Sequence, residues 1–317
     1  MNCTIEIGRI GASVNIRWIK SDKYKVKADT RPFLPTATNH IEQRRGMRST
    51  STLDNELTAV RSFIGYAGKN LVMGDITPAL ISGYERWLLQ KGVMPNTSAC
   101  YLRSLRALLN RLGKDGSVLF REVHTGRDCP QKRAVSTETI RKVKEVPLRP
   151  DSFLMLARDL FLFSILAMGI PFVDLAHLRR SDIRDGYITY YRRKTRKLVR
   201  VRLEPCMLQI INRYGLHDGP YLFPLLKGHS EREYRSLLHR YNRNLARLSV
   251  RAGLPQKLTS YTARHTWASM AYQHGIPLAV ISKGLGHSNP VTTQNYLKEI
   301  DDAALGEANR RIFQEIC

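Results

Sequence analysis

Ser260-Tyr261-Thr262-Ala263-Arg264-His265-Thr266-Trp267, followed by Leu285-Gly286-His287-Ser288 and then by Thr292-Thr293 and Tyr296, is the stretch that decides how the rest of this chain is read. Its polar residues outrun what a packed helix needs. Arginine offers phosphate a planar fork of donors. Histidine exchanges a proton near neutral pH. A tyrosine hydroxyl is an oxygen nucleophile. Together they point to chemistry on a phosphodiester. Each residue also has a plain structural reading. Tyr296 can be a half-buried tyrosine, His287 after Leu-Gly a helix-capping residue, and Arg264 the partner of an acid. His265 and Trp267 read as packing residues.

The remaining chain supplies a basic body. Of 317 residues, 51 are Lys or Arg and 27 are Asp or Glu, a formal net charge of +24. Such a charge favours a polyanion through field steering and counterion release, and double-stranded DNA is the expected partner. No polybasic run adjoins an apolar anchor, so no membrane partner is expected. At 43% apolar, the chain can bury real cores. Cys3, Cys100, Cys129, Cys206 and Cys317 are odd in number, far apart and form no C-x-x-C. Neither a disulfide framework nor a zinc site is expected, and a reducing cytoplasm fits. No secretory signal appears at the N-terminus. The most apolar run, Leu160 to Met168, is too short for a bilayer and follows Arg158 and Asp159 directly. It reads as a buried core helix.

Organisation follows from periodicity. Residues 1–45 read as a basic arm or leader, with Val14, Ile16 and Trp18 alternating like a short strand and Pro32 and Pro35 breaking the pattern. Residues 46–115 read as a helical DNA-binding domain. Leu57, Val60, Ile64 and Ala67 recur at helical spacing. Thr77-Pro78 supplies a cap and a first-turn proline, and Gly92 a stop. Pro95 opens another helix with Leu102, Leu105 and Leu109 inward and Arg103 and Arg106 on a different face. Those arginines suit a DNA backbone or groove, or an ordinary solvated face. Residues 116–135 read as an interdomain linker, 136–300 as a larger domain, and 301–317 as an amphipathic tail helix. Within the larger domain, residues 187–191 and 198–203 read as strands around a cationic tip, Arg192-Arg193-Lys194-Thr195-Arg196-Lys197, which suits an anion or is an ordinary solvated charge run. Crowded cations repel unless an anion joins them. Residues 232–252 return to helix, with Arg240, Arg243, Arg247 and Arg251 as a basic stripe.

These motifs resemble the tyrosine recombinases, or phage-integrase family. The likeness lies in Ala263-Arg264-His265-Thr266, in Leu285-Gly286-His287-Ser288, in Tyr296 nine positions later, and in Phe172-Val173-Asp174-Leu175-Ala176 with Leu178-Arg179. It looks closest to the branch that inverts DNA segments or moves mobile elements. The resemblance implies a mainly α protein with a small antiparallel β-sheet in its catalytic domain, a two-domain clamp of the DNA breaking-rejoining type. It implies a tetramer on two recombination sites, monomeric or dimeric off DNA, and no cofactor or metal. Tyr296 becomes the nucleophile, giving a 3′-phosphotyrosine. Arg264 neutralises charge on the phosphate, Lys194 protonates the leaving 5′-oxygen, and His287 serves the phosphate or the tyrosine.

Two positions depart from the family pattern. Tyr261 stands where a histidine is usual; a phenol still donates a hydrogen bond but is a poor base. The family's first arginine falls at Pro171, or in this branch at Met168. Either another cation (Arg179, Arg180 or one from the N-terminal segment) substitutes, or the enzyme is impaired. Loss of one such donor costs on the order of 3 kcal/mol. A catalytically impaired paralogue that only binds DNA is the alternative. A helix-turn-helix regulator built on residues 263–296 is a third class, but it gives Lys194 and Tyr296 no purpose.

Overall fold

The computed structural model describes residues 29–126, 133–214, 217, 219–228, 230–287 and 293, together with the backbone of residues 5–10 and 13–18. The chain forms two units, Met1–Asp128 and Cys129–Cys317.

The first unit begins with an antiparallel hairpin, β1 (Ile5–Ile10) and β2 (Ser13–Trp18), with Ile5 opposite Trp18. Helices α1 (Phe33–Glu42), α2 (Thr50–Ala67), α3 (Pro78–Gln90), α4 (Pro95–Arg111) and the single turn α5 (Gly116–Leu119) follow. Thr77 caps α3 by accepting from the Leu80 amide at 3.3 Å, with Pro78 at the first position, where its missing N–H costs nothing. The strand expected over residues 14–18 is β2. The arm boundary at residue 45 needs correction. Helix α1 lies inside that stretch and sends Phe33, Ala37 and Ile41 into the core. Phe33 meets Phe63 edge-on, and Phe63 meets Tyr84 likewise, with centroids 5.5 and 5.1 Å apart. Leu102, Leu105, Leu108 and Leu109 of α4 close the same core. The linker expected from residue 116 also starts too early, because Leu119, Phe120 and Val123 still cover this core.

One buried acid is set among these helices. Glu56 of α2 accepts from Arg44 at 2.6 Å and from Arg111 of α4 at 2.7 Å. A buried carboxylate is tolerable only with such partners, and it ties α2 to the end of α4.

The second unit contains α6 (Thr137–Glu145), α7 (Phe153–Leu166), α8 (Phe172–Leu175), β3 (Ile183–Arg184), β4 (Tyr187–Tyr191), β5 (Leu198–Arg202), α9 (Pro205–Tyr214), α10 (Glu231–Arg251), α11 (Ser260–Gln273) and α12 (Leu278–Gly284). Helix α7 is the apolar run read from the sequence. It is buried along most of its length and packs against α10 and α11. The sheet is antiparallel in the order β3-β4-β5, with Tyr187 opposite Arg202 and Tyr191 opposite Leu198. Ile188, Tyr190, Val199 and Val201 point into the core. The short β3 pairs Ile183 with Ile188 and was not expected, because two residues carry no alternation to read. Among the described residues, no helix is long and apolar enough to cross a membrane.

Glu56→Gln removes the charge that two arginines share and leaves them facing each other. The unfolding free energy of the first unit should drop by on the order of 3 kcal/mol. Hydrogen exchange of α2 and α4 amides in the full chain measures it. Unchanged protection would mean that the arginines are adequately solvated alone.

Candidate active site

Helix α11 starts because Thr259 and Thr262 satisfy each other, the Thr259 amide donating to Thr262 Oγ1 at 3.0 Å. The Ser260 amide donates to Asn242 Oδ1 at 2.8 Å, which fixes the helix start on α10. Its second turn is sealed: Thr262 through Thr266 are all buried. Arg264 therefore enters the protein with only 2% of its surface exposed. Its Nη1 donates to the Gly169 carbonyl at 2.9 Å and its Nη2 to the Leu285 carbonyl at 2.6 Å. The same Nη2 lies 3.0 Å from His287 Nε2.

Both carbonyls are available for a physical reason. After α7, Met168 (φ 54°) and Gly169 (φ 67°) turn through the left-handed region, which breaks the helix and frees the Gly169 oxygen. A Cβ on Gly169 would come within 2.9 Å of Arg264 Cα, so only glycine admits α11 this closely. Leu285 is the C-cap of α12, at a helix end where carbonyls lack helical partners. Gly286 (φ 62°) ends that helix, and the His287 amide reaches back to the Ser282 carbonyl at 3.0 Å. The capping reading of His287 thus holds for its backbone, while its side chain turns to Arg264.

The imidazole's tautomer follows from its partners. A guanidinium only donates, so Nε2 accepts; Nδ1 then carries the proton and donates to Thr293 Oγ1 at 2.8 Å. Burial, then the nearby charges of Arg264, Arg192 and Lys194, push the His287 pKa down to about 4. Burial and the cations Arg133 and Arg264 take His265 to about 4 as well.

The β4–β5 tip reaches this pocket. Its backbone closes through the Arg192 amide to the Lys197 carbonyl and the Arg196 amide to the Arg192 carbonyl, each at 2.8 Å, with Arg196 left-handed (φ 57°). Thr195 Oγ1 donates to the Gly286 carbonyl at 2.8 Å. Arg193, Lys194, Arg196 and Lys197 are exposed. Arg192 is not: it is 6% exposed, and its Nη1 donates to the Leu285 carbonyl at 3.0 Å. Asp174 of α8 accepts from the Arg193 amide at 2.9 Å. Burial raises the Asp174 carboxyl pKa, against the pull of that amide and of Arg192, Arg264 and Arg193.

The expected residues divide accordingly. Arg264 and His287 are in direct contact, and Lys194 is close enough for its charge to act on His287. Tyr261 is 44% exposed, its ring 5.3 Å from that of His265. Tyr296 lies outside the described residues, as do Asn289-Pro290 and the tail. Of the arginines expected at DNA, Arg103 donates to the carbonyls of Thr125, at 2.9 Å, and Gly126, so it secures the end of its own unit. The stem of Arg106 lies beside Gly116. Arg240, Arg243 and Arg247 are exposed along α10, Arg240 stacking 3.8 Å above the Phe153 ring. Arg179 and Arg180, suggested as substitutes for the first arginine, are exposed, Arg180 donating to the His217 carbonyl at 2.7 Å. Arg192 and the carboxylate of Asp174 were missed as site residues. The signal existed: Ile188 and Tyr190 point inward, and the next residue in that phase is Arg192.

Family comparison bears on the same residues. The phage integrase family model matches residues 155–302, and the phage integrase SAM-like domain model matches residues 32–118. The tyrosine recombinase XerC of Rickettsia massiliae is 39% identical over 280 residues, which cover 81% of this chain and 88% of that protein. The chain belongs to the phage integrase family of tyrosine recombinases. XerD of Agrobacterium fabrum is 24% identical over 298 residues, covering 82% of this chain and 87% of XerD. Among solved structures, the Tn1549 transposon integrase aligns with a TM-score of 0.65 at 16% identity, over 87% of this chain and 98% of that one. Lambda integrase aligns at 0.63 and 15% identity, over 83% and 94%. Both share the fold, and the SAM-like match begins at Pro32, one residue before α1.

The two depressed histidines set a pH dependence. Below the ordinary value of 6.5 the unfolded chain takes up protons at His265 and His287, which the folded chain resists until about pH 4. Their contribution to stability is therefore complete above pH 6.5 and is lost as pH falls through that interval. Denaturant midpoints of the second unit should decline across it. The decline should flatten in a His265→Gln, His287→Gln double variant; an identical slope in that variant would assign the decline to other groups.

Proposed function

We propose that the chain is a site-specific DNA recombinase that breaks and rejoins duplexes through a 3′-phosphotyrosine, with Arg264, His287, Lys194 and Tyr296 as its working groups. Arg264 carries the reading. It is a buried guanidinium held on two main-chain oxygens, with an imidazole on the same nitrogen and a lysine nearby. Pre-set donors of this kind stabilise charge developing on nonbridging phosphate oxygens without reorganising during reaction.

In the proposed step, the Tyr296 oxygen bonds to phosphorus and the bond to the 5′-oxygen breaks. Lys194 gives that oxygen its proton. Arg264 Nη2 turns from His287 Nε2 to the phosphate, and the phenolic proton passes to the lone pair thus freed on that unprotonated nitrogen. Its low basicity comes first from burial and then from three neighbouring cations. A phosphate beside it offsets the three cations that depress it and raises its basicity. The reverse step re-forms the DNA linkage, so the energy of the broken bond is retained and no nucleotide is consumed. Tyr261, one turn ahead of His265 on an accessible face, is assigned as a further donor to phosphate.

Duplex DNA is the proposed substrate, gripped by Arg193, Arg196 and Lys197 on the hairpin tip and by Arg240, Arg243 and Arg247 on α10. The net charge of +24 supplies the long-range attraction. Lambda integrase has been solved as a dimer on a core site and as a tetramer on a Holliday junction. We extend a tetramer on two sites to this chain.

The test uses nicked duplexes with randomised half-sites. Incubation should leave a denaturation-resistant adduct, with DNA attached through a 3′-phosphate to the peptide containing Tyr296. Tyr296→Phe should abolish it. Arg264→Ala should slow its formation by about a hundredfold or more. An adduct that survives Tyr296→Phe would overturn the nucleophile, and no adduct on any duplex would leave a DNA-binding protein.

A further inference from the structure

We propose that Arg192 is the second phosphate-binding guanidinium of this site, standing in for the arginine that Met168 does not supply. The proposal rests on the recombinase reading above. Sequence phase puts Arg192 on the inward face of β4, and the structure buries it beside Arg264. One oxygen receives both groups: Leu285 O accepts from Arg264 Nη2 at 2.6 Å and from Arg192 Nη1 at 3.0 Å. Two guanidinium groups that converge on a single carbonyl repel each other. Such a pair is stable only with negative charge at hand.

Among the described residues, little of it adjoins Arg192. Asp174 is the buried carboxylate there, and its Oδ1 is taken by the Arg193 amide. Its Oδ2 lies 3.4 Å from Arg192 Nε, a length for charge attraction, yet neither atom has a hydrogen-bond partner. Arg192 Nε is thus buried and ion-paired with Asp174 but makes no hydrogen bond, in a pocket that already contains Arg264 and lies near Lys194. A buried donor without a hydrogen bond costs free energy until one forms. A phosphodiester brings a full charge and two nonbridging oxygens, enough for both arginines. Arg192 can turn about its Nη1 anchor on Leu285 and offer the phosphate its remaining N–H groups.

The approach is built into the backbone. Gly286 lies directly under the Arg192 stem, where a Cβ would meet Cγ at 2.8 Å and Cδ at 3.0 Å. Position 168 holds an apolar side chain packed by Gly284, where a Cβ would lie 3.3 Å from Met168 Sδ and 2.8 Å from Trp267. No cation comes from there.

The experiment compares wild type, Arg192→Met and Arg192→Lys in the full chain. Arg192→Met keeps the stem over Gly286 and removes the charge; Arg192→Lys keeps the charge and removes the fork. Each is given a duplex recovered in the adduct selection and the same duplex with a methylphosphonate at the scissile position, which removes the charge of the nonbridging oxygens. On the phosphate duplex, Arg192→Met should slow single-turnover adduct formation by about a hundredfold and Arg192→Lys by less. On the methylphosphonate, both should match wild type within about threefold, because an uncharged centre needs no second cation. Equal losses on both duplexes would make Arg192 a folding residue and end the proposal, leaving the recombinase reading intact. Wild type inert on both duplexes would remove the two readings together. Where Arg192→Met fails to keep the wild-type circular dichroism, the Arg192→Lys ratio between duplexes decides by the same criterion.

Discussion

The carbonyl of Leu285 is the point on which the second unit turns. It sits at the end of α12, where a helix has oxygens without partners, and it accepts from Arg264 and Arg192 together. Three separate pieces of chain meet there. Helix α11 brings Arg264, the β4–β5 hairpin brings Arg192, and the left-handed turn after α7 contributes the Gly169 oxygen that braces Arg264 from its other nitrogen. Each guanidinium is held by main chain, so neither position depends on a flexible partner. The surrounding core, from Phe161 and Phe163 of α7 to Tyr241 and Leu245 of α10, keeps water away from these bonds and makes them stronger.

This arrangement explains why the pocket is electrostatically incomplete. Burial works against the Asp174 charge, and the two histidines nearby are held neutral. Nothing in the described pocket balances its cations in full. An enzyme acting on a phosphodiester gains from that state, because the substrate's own charge completes it and the gain appears where the reaction occurs.

Local signals were legible in the sequence and long-range ones were not. Thr77-Pro78 announces α3 because a cap and a first-turn proline act within a few residues. The motifs around Arg264 and His287 identify the family because type, order and spacing agree. Pro32 and Pro35, however, suggested an arm, whereas Pro32 precedes α1 and Pro35 occupies its first turn, where proline is tolerated. Gly116 suggested a linker, but its amide is held by Asn110 Oδ1 at 2.7 Å and opens one more turn of helix. Arg192 was hidden in a run of cations whose solvated members it resembles. Its burial depends on Gly286 and on a carbonyl 93 residues away, and no window of local periodicity contains them. Arg103 erred in the opposite direction, since a helical stripe cannot reveal that the carbonyls of residues 125 and 126 occupy one of its members.

Gly286 couples two elements that the sequence presents as independent. Its missing side chain makes room for the Arg192 stem, and its oxygen is held by Thr195 from the same hairpin. The β-ribbon and the end of α12 are therefore latched face to face and would shift as one piece. A strand of DNA that pressed on the exposed loop at Lys194 would transmit its push to the imidazole one residue beyond that glycine, so the groups proposed as general acid and general base would be set in place by the same mechanical contact.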